Sequence, residues 1–312
     1  MAPAMPDLLR SSGNVLADRR YAYAKGAFDD GDFSTAADLA AQAVELAPDF
    51  APAHALHGRA EAALGRREAA VAGLRRAVAL EPDDPMGVRI DLAQLGALAP
   101  EEAVTPTYVR ALFDDYAPRF DRHLTKSLNY RGPELLADAL RRAASKRLRE
   151  PSLRLVLDLG CGTGLMGAAL EDRAARIEGV DLSPQMLARA EKTGAYAALH
   201  EGELVSFLQG RAEGEADGIV AADVFVYMAD LAPVFAEAHR VLARGGFFAF
   251  TVQAGEGDSY RLGEDARYAH GERYLSALAE RTGFAIVLFE AVSTREDRGQ
   301  PVPGFLLVLE RA

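Results

Sequence analysis

The stretch LRLVLDLGCGTGLMGAALEDRAA, residues 153–175, decides the fold of the C-terminal half. Its opening seven residues are a short apolar run of buried-strand type. Gly160-Cys161-Gly162-Thr163-Gly164 follows directly, and the remainder has helical spacing. A strand running through a glycine loop into a helix exposes backbone N–H groups at the helix N-terminus. Glycines there let a ligand approach the backbone and tolerate unusual backbone angles.

The pattern continues toward the C-terminus. Arg176–Val180 reads as a second strand ending at Asp181, and Ser183-Pro184 opens another helix. An acidic residue at that strand tip, about 20 positions after the glycine loop, can accept both hydroxyls of a ribose. Tyr196–His200 and Gly218–Ala222 are candidate third and fourth strands, Leu231–Ala243 a helix, and FFAFTV (247–252) a fifth strand. This alternation predicts a doubly wound α/β domain.

Two cofactors fit such a loop. Gly162-Thr163-Gly164-Leu165-Met166-Gly167 satisfies the GxGxxG string of dinucleotide folds, with Asp181 at a plausible distance. Asp158, however, precedes the first glycine, and a carboxylate there gives a pyrophosphate nothing. S-adenosylmethionine instead offers an α-ammonium that a nearby acid can hold. The C-terminus also argues against a dehydrogenase. Phe284–Val292 and Val302–Glu310 read as two strands joined by the polar turn STREDRGQP, a hairpin with no crossover helix.

VLDLGCGTG (156–164), VDLSPQML (180–187) and HRVLARGGFFAF (239–250), at these spacings, closely resemble the class I S-adenosylmethionine-dependent methyltransferases. The resemblance covers roughly residues 106–312. It implies a Rossmann-like seven-stranded sheet with the last strand reversed. It assigns the loop of Gly160, Cys161, Gly162 and Gly164 to the methionine moiety, Asp158 to the ammonium side, and Asp181 to the ribose, with Leu182 and Met186 following. Glu203-Leu204, after the third strand, would lie along the adenine, with Glu201 as the alternate. Asp223, after the fourth strand, sits beside the cofactor by analogy or is a solvated loop carboxylate.

The N-terminal half carries a repeat. Ala17–Phe50 and Ala51–Asp84 align as two ungapped blocks of 34 residues. Gly31 pairs with Gly65 at the turn, Ala36 with Ala70 and Ala43 with Ala77 as packing residues, and Pro48 with Pro82 after the second helix. Period and pattern resemble the tetratricopeptide repeat, departing from it where His57 faces Tyr23. A third helix is expected at Met86–Leu98. Two repeats leave an apolar flank that a longer stack would bury. The array should therefore lean on the segment after Pro100 or pair with a second chain, as a homodimer. Its concave face near Tyr23, Phe28, His54 and His57 would then serve a substrate or protein partner. The whole arrangement resembles a bacterial group of methyltransferases with an N-terminal tetratricopeptide segment.

Four regions are expected: an extension at 1–16, an all-α repeat domain at 17–98, a linker and helical lead-in at 99–150, and the methyltransferase domain at 151–312. In the lead-in, Tyr130 and Arg131 are candidate cofactor contacts, and Arg131 either pairs with the methionine carboxylate or is solvated. Cys161 is a packing residue of the loop before it is a nucleophile. His270, in RYAHGERY, and Tyr227 are candidate general bases, with a capping or surface role as the alternative for His270.

Composition narrows the rest. The 312 residues carry 46 acidic and 35 basic side chains, a formal net charge of −11, which argues against a nucleic-acid partner held through phosphates. A single cysteine makes no disulfide framework, and with six scattered histidines there is no metal-ligand cluster. No signal-peptide or membrane-spanning run is evident, so a cytoplasmic protein is expected. Two functions are carried forward: a methyltransferase acting on a small-molecule or protein acceptor, and a non-catalytic repeat scaffold with a cofactor-sensing domain.

Overall fold

The computed structural model describes residues 10–120, 129–146, 153–297 and 299–312. Most of the expected N-terminal extension, part of the lead-in, and the boundary expected at 150/151 lie outside these residues. The chain forms two compact units that divide between Leu112 and Phe113.

The N-terminal unit is helical. Helices α1 (Val15–Asp29), α2 (Phe33–Leu46), α3 (Ala51–Ala63) and α4 (Arg67–Leu80) form two hairpins in the expected register. Gly31 and Gly65 turn them at φ +81° and +75°, angles that favour glycine over any L side chain. Ala36, Ala43, Ala70 and Ala77 are buried at the helix contacts. Between α3 and α4 the approach is closest at Gly58, where a Cβ would stand 2.7 Å from Leu74 Cγ. The expected third helix is shorter than the sequence suggests: α5 spans Val88–Gln94. It starts late because Gly87 takes a left-handed φ of +68°, while the Asp84 carboxylate accepts from Val88 and Arg89 N–H at 2.7 and 2.9 Å. Val88 and Leu92 then close the array's last flank against Leu74 and Ala77. On the expected partner face, Tyr23 is exposed, whereas Phe28 packs edge-on against Phe33. His54 bonds the Pro48 carbonyl at 2.8 Å, and His57 faces Glu61 at 3.7 Å. These contacts stabilise the hairpins, so Phe28 belongs to the packing and not to an open face.

Helix α6 (Pro106–Tyr116) carries the chain into the second unit, where α7 (Gly132–Lys146) precedes the sheet. Its strands are β1 (Val156–Leu159), β2 (Ile177–Asp181), β3 (Ala198–Glu201), β4 (Ala216–Ala221), β5 (Leu242–Gly255), β6 (Tyr260–Leu262), β7 (Tyr268–Gly271), β8 (Phe284–Val292) and β11 (Gly304–Arg311). The main path runs β3-β2-β1-β4-β5-β11-β8, with β11 antiparallel to both neighbours. That is the seven-stranded sheet with a reversed strand that the sequence motifs imply. The β6–β7 pair, which the sequence reading missed, joins it through β7 beside β5. The pair β9 (Glu296–Asp297) and β10 (Gln300–Pro301) closes the tip of the terminal hairpin. Helices α8 (Leu165–Leu170), α9 (Pro184–Ala190), α10 (Leu204–Gln209), α11 (Ala232–Val241) and α12 (Glu272–Arg281) connect the strands. The central strands are buried on both faces, which is why they read as apolar runs. Among the described residues, no helix is long and apolar enough to cross a membrane.

Candidate functional site

Strand order reverses between β1 and β4, the place in an open α/β sheet where a crevice forms at the strands' C-terminal ends. The glycine loop leaves β1 there. Gly160, Gly162 and Gly164 have φ of +69°, +54° and +93°. A Cβ on Gly160 would meet Val224 Cγ2 at 2.6 Å, so the loop packs directly against the segment that follows β4. Cys161 is buried, its sulfur against Gly179 of β2, and burial pushes its thiol pKa up. A thiol in that state is packing and not a nucleophile.

The two aspartates flank this loop. Asp181, at the end of β2, accepts from Gly162 N–H through Oδ2 and from Ser183 N–H through Oδ1, both at 2.9 Å. The Leu182 N–H also bonds this carboxylate. Burial raises its pKa against the lowering effect of these N–H groups. Ser183 caps α9 and donates its hydroxyl to Asp114 of α6 at 2.6 Å. Asp158 is 1% exposed. Its Oδ2 accepts the Tyr196 hydroxyl at 2.6 Å, while its buried Oδ1 has no partner among the described residues. Burial lifts its pKa to about 7, with the Tyr196 hydroxyl pulling the other way.

Asp223 lies in the crevice too, but not as a solvated loop acid. At φ +56° it is left-handed without being glycine. Thr251 and Thr294 hydroxyls donate to it at 2.9 to 3.0 Å, and Arg295 Nη1 at 3.0 Å. Arg295 also bonds Gln253 Oε1 at 3.0 Å, so the terminal hairpin is tied to the ends of β4 and β5. Tyr130 faces this cluster, its hydroxyl pKa raised by burial and by Asp223. Arg131 is exposed, and its backbone N–H donates to Thr294 O at 2.8 Å.

The remaining candidates separate. Leu182 is half-buried beside Asp181. Met186 is fully buried on α9, a core position. Glu203 is exposed at the start of α10, Leu204 packs toward the sheet core, and Glu201 stands beside Asp181 in register. Tyr227 packs edge-on against Phe113 at 5.4 Å and bonds Arg267, which draws it to the lead-in. His270 corrects the sequence reading. It lies on β7 instead of a substrate-facing loop, is fully buried, and its Nε2 stands 3.0 Å from the Ala229 carbonyl. The carbonyl can only accept, so Nε2 carries the proton. Burial brings the imidazole pKa down to about 4. A ring enclosed in this way reaches no acceptor.

Sequence reasoning missed Tyr196, Thr251 and Arg295. Thr251 had a signal, as the one polar residue in the apolar run FFAFTV. Arg295 had none, because its partners lie 42 and 72 residues away in the chain.

The sheet order, the reversed strand and the glycine loop define a Rossmann-like fold of the class I methyltransferase type. Residues 157–250 match the methyltransferase-domain family, and residues 27–90 match the tetratricopeptide-repeat family. The chain thus joins a segment that matches the tetratricopeptide repeat to one that matches a methyltransferase domain. It is 39% identical to human methyltransferase-like protein 27 over 28% of this chain and 34% of that protein. It is 34% identical to the demethylmenaquinone methyltransferase of Thermus thermophilus over 43% of this chain and 61% of that protein. The chain therefore spans between about one third and three fifths of these relatives' lengths. The magnesium protoporphyrin IX methyltransferase of Synechocystis PCC 6803, solved with bound S-adenosylmethionine, aligns over 66% of this chain and 97% of its own at 17% identity and a TM-score of 0.49.

Proposed function

We propose that this protein transfers a methyl group from S-adenosylmethionine to a small-molecule or protein acceptor, and that the repeats recruit that acceptor or a partner. The observation that carries the reading is the unpartnered Oδ1 of buried Asp158 at the tip of β1, beside the glycine loop. A buried carboxylate oxygen without a donor costs free energy unless a ligand supplies one. The α-ammonium of S-adenosylmethionine is such a donor, and a nicotinamide dinucleotide offers no cation at that place. The Asp181 carboxylate at the end of β2 suits ribose hydroxyls, and the loop glycines admit the methionine part.

When bound, the donor supplies an electrophilic methyl group on a sulfonium. The residues of the chain hold it, exclude water and align the acceptor. Tyr130 and the Asp223–Arg295 network border the crevice and suit that alignment. Tyr227, whose hydroxyl meets Arg267, is the side chain proposed to handle an acceptor proton, and His270 is assigned a structural role.

Titration calorimetry with S-adenosylmethionine and, separately, NADH tests the donor. Binding of the first alone is expected; binding of NADH alone overturns the reading. A transfer screen with tritiated donor against metabolite and protein extracts then identifies the acceptor. Removal of residues 1–100 should leave donor affinity within a few-fold and lower turnover. Equal turnover on the same acceptor would end the recruitment proposal.

A further inference from the structure

Tyr196 lies in the connection between α9 and β3, in a stretch with no motif, yet it packs on the end of the glycine loop and the elements on either side of it. Its ring fills the space left by three glycines. Cβ atoms on Gly164, Gly167 and Gly179 would stand 3.2, 2.5 and 2.9 Å from it. Its hydroxyl accepts the Gly167 N–H at 3.0 Å and meets Asp158 Oδ2 at 2.6 Å. An amide N–H can only donate, so it occupies a lone pair of the phenol oxygen and leaves the phenol proton for Asp158. Oδ2 is therefore held as an acceptor, and any proton on this carboxyl sits on Oδ1.

We propose that Tyr196 is a positioning residue of the donor site: it clamps Asp158 by one oxygen and turns the other oxygen toward the donor's α-ammonium. This rests on the donor reading above. The titratable groups around Asp158 are Tyr196, Cys161 of the glycine loop, Asp181 at the end of β2 and Tyr130 before α7. Only the Tyr196 hydroxyl is bonded to the carboxylate, and it lowers the carboxyl pKa against burial. Without it, Oδ1 would keep a proton to higher pH and could not accept from an ammonium.

The test compares Tyr196→Phe with wild type by titration calorimetry between pH 6.5 and 8.5. It uses S-adenosylmethionine and 5′-methylthioadenosine, which lacks the amino-acid part. Phenylalanine keeps the ring packing and removes only the hydroxyl. The ratio of variant to wild-type affinity at each pH cancels the titration of the donor's own ammonium. The variant should bind S-adenosylmethionine about tenfold more weakly at pH 6.5, with the gap narrowing to about twofold at pH 8.5. Methylthioadenosine affinity should stay within about twofold throughout. Equal losses for both ligands, or a loss independent of pH, would reduce Tyr196 to a packing residue and overturn the proposal. The wild type gives a check free of any folding defect in the variant: with the protonated fraction of the free donor's ammonium measured by NMR and divided out at each pH, lowering the pH from 8.5 to 6.5 should weaken S-adenosylmethionine relative to methylthioadenosine. A constant ratio there also overturns the proposal. If wild type binds neither ligand, the donor reading itself has failed, a result distinct from these.

Discussion

His270 gives the most direct measure of how burial governs this domain. The imidazole is fully buried, bonded through Nε2 to the Ala229 carbonyl and stacked on Tyr274 with ring centres 5.8 Å apart. Its pKa falls from 6.5 to about 4. Because the folded state resists protonation, the stability that the neutral ring contributes is complete above pH 6.5 and is lost as pH falls toward 4. The full difference amounts to about 3 kcal/mol at about 1.4 kcal/mol per pH unit, and about 2 kcal/mol of it falls between pH 6.5 and 5. Asp158, raised to about 7, acts in the opposite sense, since its protonation on acidification favours the folded state. The wild-type curve alone therefore mixes the two. His270→Gln separates them: its amide can still donate to Ala229 O, and it does not titrate. Urea unfolding of both proteins at pH 7 and pH 5 should show the wild type's advantage shrinking by about 2 kcal/mol on acidification. An advantage that stays constant would mean that the ring is solvated or already charged. A fall in turnover of more than about a hundredfold at pH 7, with donor affinity unchanged, would restore His270 as a catalytic base.

Three further outcomes follow from the site. Asp181→Ala should weaken S-adenosylmethionine binding by about 1.5–3 kcal/mol, because it removes acceptors for the ribose and releases the Gly162 and Ser183 N–H groups; unchanged affinity in calorimetry would remove Asp181 from the site. Gly160→Ala combines a φ of +69° with a Cβ 2.6 Å from Val224 Cγ2. It should destabilise the domain by about 2 kcal/mol or more in a denaturant titration, and a loss under about 0.5 kcal/mol would show that the loop yields. Arg295→Ala removes the cation bonded to Asp223 and leaves it the two threonine hydroxyls, with Arg267 as its nearby charge, so the melting temperature should drop by an amount equivalent to about 3 kcal/mol; wild-type stability in thermal unfolding would mean that the Asp223 cluster is solvated.

Much of this protein was legible in the chain before any fold was known. Local rules suffice for a buried strand running into glycines, for an aspartate at the next strand tip, and for alanines, glycines and prolines recurring at 34 residues. Those features depend on periodicity, backbone angle and side-chain size, all carried by neighbours in sequence. They placed the glycine loop between a strand and a helix, Asp181 at the end of the next strand, and the repeats in two helical hairpins, where the structure has them.

What only the tertiary structure decided is how side chains from distant segments treat those residues. The exposure of a histidine is set by what packs over it, and the sequence around His270 looks like a surface turn until β6, Tyr274 and the Ala229 carbonyl enclose it. Asp223 likewise becomes a partly buried, multiply bonded acid only when the terminal hairpin delivers Thr294 and Arg295 from 71 and 72 residues away. Tyr196 carried no motif at all, and it gains its place because three glycines on two different elements leave room for one ring. Burial and hydrogen bonding depend on distance in space, and the chain closes those distances only when the sheet forms.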